Sequence, residues 1–239
     1  MINILIADDN TNLVDLIFKE IVRKNGNFRL ADYTYDGKNT LNSILQYHPD
    51  VIILDLQMPK LDGISIIKYL SSIKKEYSPY IIVISSIQEY INKIYNTKEV
   101  YAIIDKGVDF TRISNNINMY LNEINKEIND NQIYEKIRNE LKKCNINTSN
   151  KGTDYLIDSI LLSYNKEDLN LCNDIYPILS KKYQVNPMNI KWNLEKNIKS
   201  MKRYTDNEII TKYFHIDSRS NLTIKTVIKT ITNNIKKHF

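Results

Sequence analysis

The stretch Val51-Ile52-Ile53-Leu54-Asp55-Leu56-Gln57-Met58-Pro59-Lys60-Leu61-Asp62-Gly63 decides the fold. Four apolar residues, three of them β-branched, lead directly into an acid. A short continuous apolar run of this kind reads as a strand buried on both faces, as in a parallel sheet. In open α/β sheets, ligands sit outside the carboxyl ends of the strands. Asp55 therefore stands where chemistry is expected, although a lone acid there can equally end a strand and begin a turn.

Three further stretches favour chemistry. Ile4-Leu5-Ile6-Ala7 ends in the acidic pair Asp8-Asp9, Ile81-Ile82-Val83-Ile84 ends in Ser85, and Tyr101-Ala102-Ile103-Ile104-Asp105 ends in Lys106. If the four strands are parallel, three carboxylates, a hydroxyl and an ammonium converge at one edge of the sheet. Three crowded carboxylates repel one another unless a cation sits among them. An all-oxygen set favours a hard ion such as Mg²⁺, completed by water and phosphate oxygens. A carboxylate beside such an ion can attack phosphorus to form an acyl phosphate, and lysine and hydroxyl can hold the phosphoryl oxygens.

This order of residues resembles the receiver domain of two-component response regulators, and residues 55–63 closely match that family's phosphorylation signature. The resemblance spans residues 1–124. It implies that Asp55 is the phosphoacceptor and that Asp8, Asp9, Asp55 and the backbone carbonyl of Gln57 hold Mg²⁺. It also implies that Ser85 and Lys106 are the switch hydroxyl and lysine. Two positions depart from the pattern. Gly107 stands where the family has a proline, so the Lys106–Gly107 peptide is expected to be trans. Ile103 stands where the family has an aromatic, and Tyr101, two residues earlier, is a candidate substitute on the same strand face.

Helical spacing separates these strands: residues 10–24, with Leu13, Leu16, Ile17 and Ile21 as the apolar set, then 36–46, 61–74, 88–97 and 108–125, with an edge-type strand at 28–34. Alternation of strand and helix predicts an α/β doubly wound, flavodoxin-like receiver with five parallel strands. Residues 125–133 are polar and helix-tolerant, and read as a linker or as a prolongation of the fifth helix.

From residue 134 to 239 strand signals cease and the pattern is all-helical, with helices expected near 134–144, 153–165, 168–183, 187–204, 206–214 and 221–237. Asn186-Pro187 marks a sharp helix start, since asparagine caps and proline suits the first helical position. A helix ending at Tyr183, a short turn and a second helix give helix-turn-helix spacing, with Ile175, Leu179 and Val185 as its packing residues. On the second helix, Ile190, Leu194, Ile198 and Met201 share one stripe. Asn189, Trp192, Lys196, Lys199 and Arg203 collect opposite, where amide and basic side chains suit base edges and phosphates. Trp192, off the core stripe, reads either as a DNA contact or as packing against another element.

This half resembles the DNA-binding domain of the stage 0 sporulation protein A family, carried by residues 150–156, 175–183 and the helix from Pro187. The match weakens on the reading surface, which is arginine-rich in that family. Together the two resemblances imply a transcription regulator rather than an enzyme. It would be phosphorylated by a histidine kinase or phosphotransfer protein, form a homodimer when phosphorylated, and bind DNA beside RNA polymerase.

Charge agrees with a sensor joined to a polyanion binder. Residues 1–124 hold 13 Lys and Arg against 15 Asp and Glu, a balance of −2, whereas residues 125–239 hold 20 against 13, or +7. No apolar run approaches the roughly 20 residues of a membrane span, and no secretory leader is evident, so a cytoplasmic protein without membrane contact is expected. Cys144 and Cys172 are too few for a disulfide framework and read as buried thiols. His48, His215 and His238 are scattered and suggest no metal site. Three other functions compete. A haloacid-dehalogenase-type phosphatase would want Asp-x-Asp on its first strand, where this chain has adjacent Asp8-Asp9. The helical half could instead grip a protein with little or no DNA specificity, or the regulator could work without phosphorylation.

Overall fold

The structure, a computed structural model, describes residues 1–146, 150–217 and 221–237; His238 lies outside them. These residues form two compact units, residues 1–127 and 128–239.

In the first unit, β1 (Ile2–Ala7), β2 (Phe28–Thr34), β3 (Val51–Asp55), β4 (Tyr80–Ser85) and β5 (Val100–Asp105) make one sheet in the order β2-β1-β3-β4-β5, with every pairing parallel. Parallel pairing needs crossovers, supplied by α1 (Thr11–Ile17), α2 (Gly37–Tyr47), α3 (Gly63–Ile73) and α4 (Gln88–Ile94). All five residues of β3 are buried, the four apolar ones as a central parallel strand requires and Asp55 with them. The order of strands reverses between β1 and β3, and this reversal opens the crevice where such sheets place ligands.

The first helix departs from its expected face. Beyond Ile17 the backbone winds into a π-turn, Phe18–Val22, which inserts a residue into the helical repeat. Past the turn Ile21 and Val22 are both buried; ahead of it, Val14 and Ile17 are the buried positions and Leu16 is exposed.

Helix α5 runs through Phe110–Lys143, so residues 125–133 are helical. Its buried positions include Ile113, Ile117, Leu121 and Ile124 in the first unit and Ile133, Ile137 and Leu141 in the second. The second unit continues with α6 (Lys151–Asn165), a π-turn (Leu171–Ile175), α7 (Tyr176–Tyr183), α8 (Pro187–Tyr204), α9 (Asn207–Phe214) and α10 (Ile224–Lys237). The helix expected over 168–183 is thus a π-turn followed by α7. Ile137, Leu156, Ile160, Leu179, Leu194 and Ile231 lie in its core. Cys144 is buried, but Cys172 is exposed on the π-turn, against the expectation of two buried thiols. Among the described residues, no helix is long and apolar enough to cross a membrane.

Candidate functional site

The parallel register carries chemistry-bearing residues to one end of the sheet. Asp55 closes β3 and pairs in register with Ile84, one residue short of Ser85. Asp8 and Asp9 follow β1, and Lys106 follows β5. Carboxylate oxygens of Asp8, Asp9 and Asp55 lie within 4.8 Å of one another, with Asp8 and Asp55 buried and Asp9 exposed. The Lys106 ammonium bridges the buried pair, donating to Asp8 at 2.7 Å and Asp55 at 2.8 Å. A cavity of about 530 Å³ opens over this cluster, lined by Asp9, Asp55, Gln57, Ser85 and Lys106 among others. The structure thus brings Asp9, Asp55, Gln57, Ser85 and Lys106 around one cavity, while Asp8 belongs to the carboxylate cluster but is buried away from the lining.

Three carboxylates against one ammonium leave the site strongly anionic. Burial raises the Asp8 carboxyl above its ordinary value, although its hydrogen bond to Lys106 pulls the other way. Burial acts on Lys106 in the downward sense, but its hydrogen bonds to Asp55 and Asp8 outweigh it and hold the ammonium above its ordinary value. An ammonium already resting on two carboxylates of an all-oxygen set fits the demand of that set for a hard cation.

The loop after β3 is held by contacts that the sequence reading overlooked. Gly63 donates its N–H to the Leu56 carbonyl at 3.0 Å, and a Cβ on Gly63 would lie 2.3 Å from the Asp55 carbonyl oxygen. Gly37 similarly approaches Leu61 closely and donates to the Pro59 carbonyl at 3.1 Å. Lys60 sits in the left-handed region at φ 68° and reaches the Asp36 carboxylate at 2.7 Å. Asp36 is also the N-cap of α2, accepting from the Asn39 N–H at 2.9 Å. Its Asp-x-x-Asn spacing is the one local signal of this role.

Lys106 is anchored by its backbone as well as its side chain. Its N–H donates to the Ser85 carbonyl at 3.1 Å. The next N–H, that of Gly107, donates to Asp105 Oδ1 at 2.7 Å and closes an Asx-turn around the lysine. No peptide bond among the described residues is cis, as the absence of proline at position 107 predicts.

Tyr101 does not share the face of Ile103. The β4–β5 register shifts between Ile81, opposite Val100, and Ile82, opposite Ala102, leaving Tyr101 as the extra residue of a bulge. Ile103 packs with the cluster containing Leu54, Val83 and Ile94. The Tyr101 ring instead meets Tyr80 at 5.5 Å and Tyr120 of α5 at 6.1 Å, both edge-on.

In the second unit, the turn between α7 and α8 is locally specified. Gln184 takes the left-handed conformation at φ 54°, Ser180 Oγ donates to the Val185 carbonyl at 2.5 Å, and Asn186 caps α8 by accepting from the Met188 N–H at 2.8 Å. Ile190, Leu194, Ile198 and Met201 are buried. Asn189, Trp192, Lys196, Lys199 and Arg203 are all exposed. Trp192 is 60% exposed, and its ring carries the Lys196 ammonium 5.2 Å from its centroid, so it is not a core side chain.

Comparison with known proteins agrees with both halves. Residues 4–118 match the response regulator receiver domain, and residues 137–235 match the Spo0A C-terminal domain of sporulation initiation factors. A protein-glutamate methylesterase/protein-glutamine glutaminase of Syntrophomonas wolfei is 31% identical over 102 residues, 43% of this chain and 28% of the relative. A second, from Methanosarcina acetivorans, is 30% identical over 104 residues, 44% of this chain and again 28% of the relative. The chain therefore spans little more than a quarter of the length of these curated relatives. Among solved structures, the receiver domain of the Francisella response regulator 1452 is 27% identical, with 54% of this chain and 99% of that chain covered and a TM-score of 0.45. The sheet order and the acidic crevice define the first unit as a response regulator receiver. With the second match, the chain belongs to the Spo0A-type response regulators.

Proposed function

We propose that the protein is a phosphorylation-controlled, DNA-binding regulator of transcription, acting on sporulation or related stationary-phase genes, with Asp55 as phosphoacceptor. The observation that carries this reading is the buried Asp8–Asp55 pair, with Asp9 beside it and Lys106 bridging it at 2.7 and 2.8 Å. Asp8, Asp9, Asp55 and the Gln57 carbonyl would hold Mg²⁺, which supplies positive charge to offset the carboxylates and the incoming phosphoryl oxygens.

A histidine kinase or phosphotransfer protein would deliver the phosphoryl group. An Asp55 oxygen forms the new bond to phosphorus as the bond to the donor breaks, and the electron pair leaves with the donor. The phosphoryl group then offers acceptor oxygens where Asp55 had two, and Lys106 exchanges its carboxylate contact for one of them by a charge-assisted bond. Ser85, which lines the same cavity, would donate to another. Because Lys106 N–H is bonded to the Ser85 carbonyl, movement at either residue is felt by the other. The resemblance extends this to dimerisation of the phosphorylated form, alignment of two second units on paired DNA half-sites, and contact with RNA polymerase, in the cytoplasm. On that reading α8 enters the major groove, with Asn189, Trp192 and Lys196 toward the bases and Lys199 and Arg203 toward phosphates.

Intact-mass measurement after incubation with acetyl phosphate and Mg²⁺ tests the proposal. One phosphoryl group is expected on the wild-type chain and none on Asp55→Asn or in EDTA. A full-stoichiometry adduct on Asp55→Asn overturns the assignment.

A further inference from the structure

Within the second unit, a cavity of about 370 Å³ lies between the C-terminal end of α6, the segment 166–170 and one face of α10. Its lining mixes apolar, charged and neutral polar side chains, the last including Ser163 and Asn233. Leu169, Leu171, Ile175 and Ile228 make an apolar part, and Lys166, Lys225, Lys229 and Lys236 contribute cations. Two acids, Glu167 and Asp168, also line it, and Glu167 is engaged by Lys236 at 2.7 Å. Four ammonium groups against two carboxylates leave a balance of +2. Lys225 and Lys229 stand four residues apart on α10, a spacing at which like charges repel. An anion seated between them relieves that repulsion.

A second, independent observation points to a ligand. Thr232, also in the lining, is only 5% exposed, and its hydroxyl is buried without a hydrogen-bond partner among the described residues. Buried hydroxyls are nearly always bonded, and a helical threonine can usually turn back to its own backbone. Leu171 and Ile175 are the ends of the π-turn that leads into α7, and such turns recur at functional sites. The left-handed Asp168, at φ 58°, shapes the segment just before it.

We propose that this cavity binds a small amphipathic anion, an acidic head on a short apolar chain. The lysines and the Thr232 hydroxyl receive the head, and Leu169, Leu171, Ile175 and Ile228 receive the chain. The volume falls at the lower end of the roughly 300–1,000 Å³ of small-molecule sites. A nucleic-acid backbone would satisfy the lysines but leave the apolar part unmatched. The contact with Ile175 sets the ligand against the π-turn that leads into α7, the first helix of the helix-turn-helix.

Calorimetric titration of the full chain with octanoate and with octyl phosphate tests this, and the two heads on one chain separate a carboxylate from a phosphate source. Octan-1-ol serves as the uncharged control. At least one of the anions is expected to bind, and octan-1-ol about tenfold more weakly or worse, since a charge-assisted bond is lost. Lys225→Gln/Lys229→Gln is expected to weaken anion binding about tenfold or more, and Thr232→Val to weaken it while leaving helix content unchanged by circular dichroism. If neither anion binds, if octan-1-ol binds as well as the anions, or if a folded double variant binds like wild type, the proposal fails.

Discussion

Replacing Lys106 by methionine keeps the side-chain volume and removes the one ammonium, among the described residues, that touches Asp8 and Asp55. Both carboxylates are nearly inaccessible, at 3% and 5% side-chain exposure, and Lys106 itself is 18% exposed. Removing one partner of a buried ion pair costs about 3–5 kcal/mol, because an uncompensated charge stays behind. The partial exposure of Lys106 places the expected cost at the lower end, about 3 kcal/mol. Proton uptake limits it further in acid. The Asp8 carboxyl, already raised by burial, loses the lysine that lowered it and rises again. An acid whose folded value is raised contributes stability that is full below its unfolded value and is lost as pH climbs through the folded one. The deficit of Lys106→Met should therefore be small near the ordinary carboxylate value of about 4 and grow as the pH rises above it. Mg²⁺ should then protect the variant more than wild type, since the ion no longer competes with an ammonium. At a hundred times its dissociation constant it adds about 2.7 kcal/mol.

The assay must report the first unit alone. The sole tryptophan, Trp192, lies in the second, so its fluorescence follows other events. Hydrogen exchange at the β1 and β3 amides, read by mass spectrometry and corrected for intrinsic rates, gives the local opening free energy directly. A loss under about 1 kcal/mol at neutral pH, a pH-independent deficit, or no protection by Mg²⁺ would refute the reasoning.

Gly63→Ala should destabilise the first unit by about 1–3 kcal/mol in the same exchange assay, since the new Cβ meets the Asp55 carbonyl oxygen at 2.3 Å. A gain in stability would show that helix propensity at the start of α3 outweighs the clash. Native protein at neutral to mildly alkaline pH should titrate one of its two thiols with Ellman's reagent: exposed Cys172 reacts, while burial pushes the Cys144 thiol up to about 12. Rapid reaction of both without denaturant would contradict this burial. On α8, Lys199→Ala should weaken binding to every DNA and reduce the salt slope by about 0.9. Asn189→Ala should cost about 1–3 kcal/mol on the preferred site alone, and exposed Trp192→Ala should leave the melting temperature unchanged. Unaltered binding of both the Asn189 and Lys199 variants to any DNA would remove α8 from the groove.

The parts of the molecule legible from sequence are those in which one residue type has one physical use. A buried parallel strand must be apolar throughout, so Val51-Ile52-Ile53-Leu54 and its counterparts located the sheet. Parallel strands then bring their C-terminal acids, hydroxyl and lysine to one edge without any further information. The helix from Pro187 was equally open to reading, because its asparagine cap and proline start are local. What escaped were single-residue events. The π-turn at Phe18–Val22 and the bulge at Tyr101 each insert one residue, which rotates or flips every later side chain while leaving composition unchanged. Residues 125–133 left two readings open, a linker or a prolonged fifth helix, because they are polar. Their lysine, glutamate and glutamine are nonetheless good helix formers, and the helix passes through them from Ile124 to Ile133.

Position 107 shows why a missing family residue need not mean a missing function. Proline there would restrict the backbone by its ring but has no N–H to give. Glycine keeps the N–H, and Asp105, one residue before the lysine, accepts it at 2.7 Å. The two devices exclude each other: a proline at 107 would break the Asx-turn, and a glycine without Asp105 would leave the segment slack. Lys106 is accordingly held from both sides of its own backbone, by the Ser85 carbonyl on its N–H and by the Asx-turn that encloses it. Its ammonium lies on Asp8 and Asp55 from a locally fixed start, so the geometry that makes it a candidate switch does not need the proline that the sequence pattern lacks.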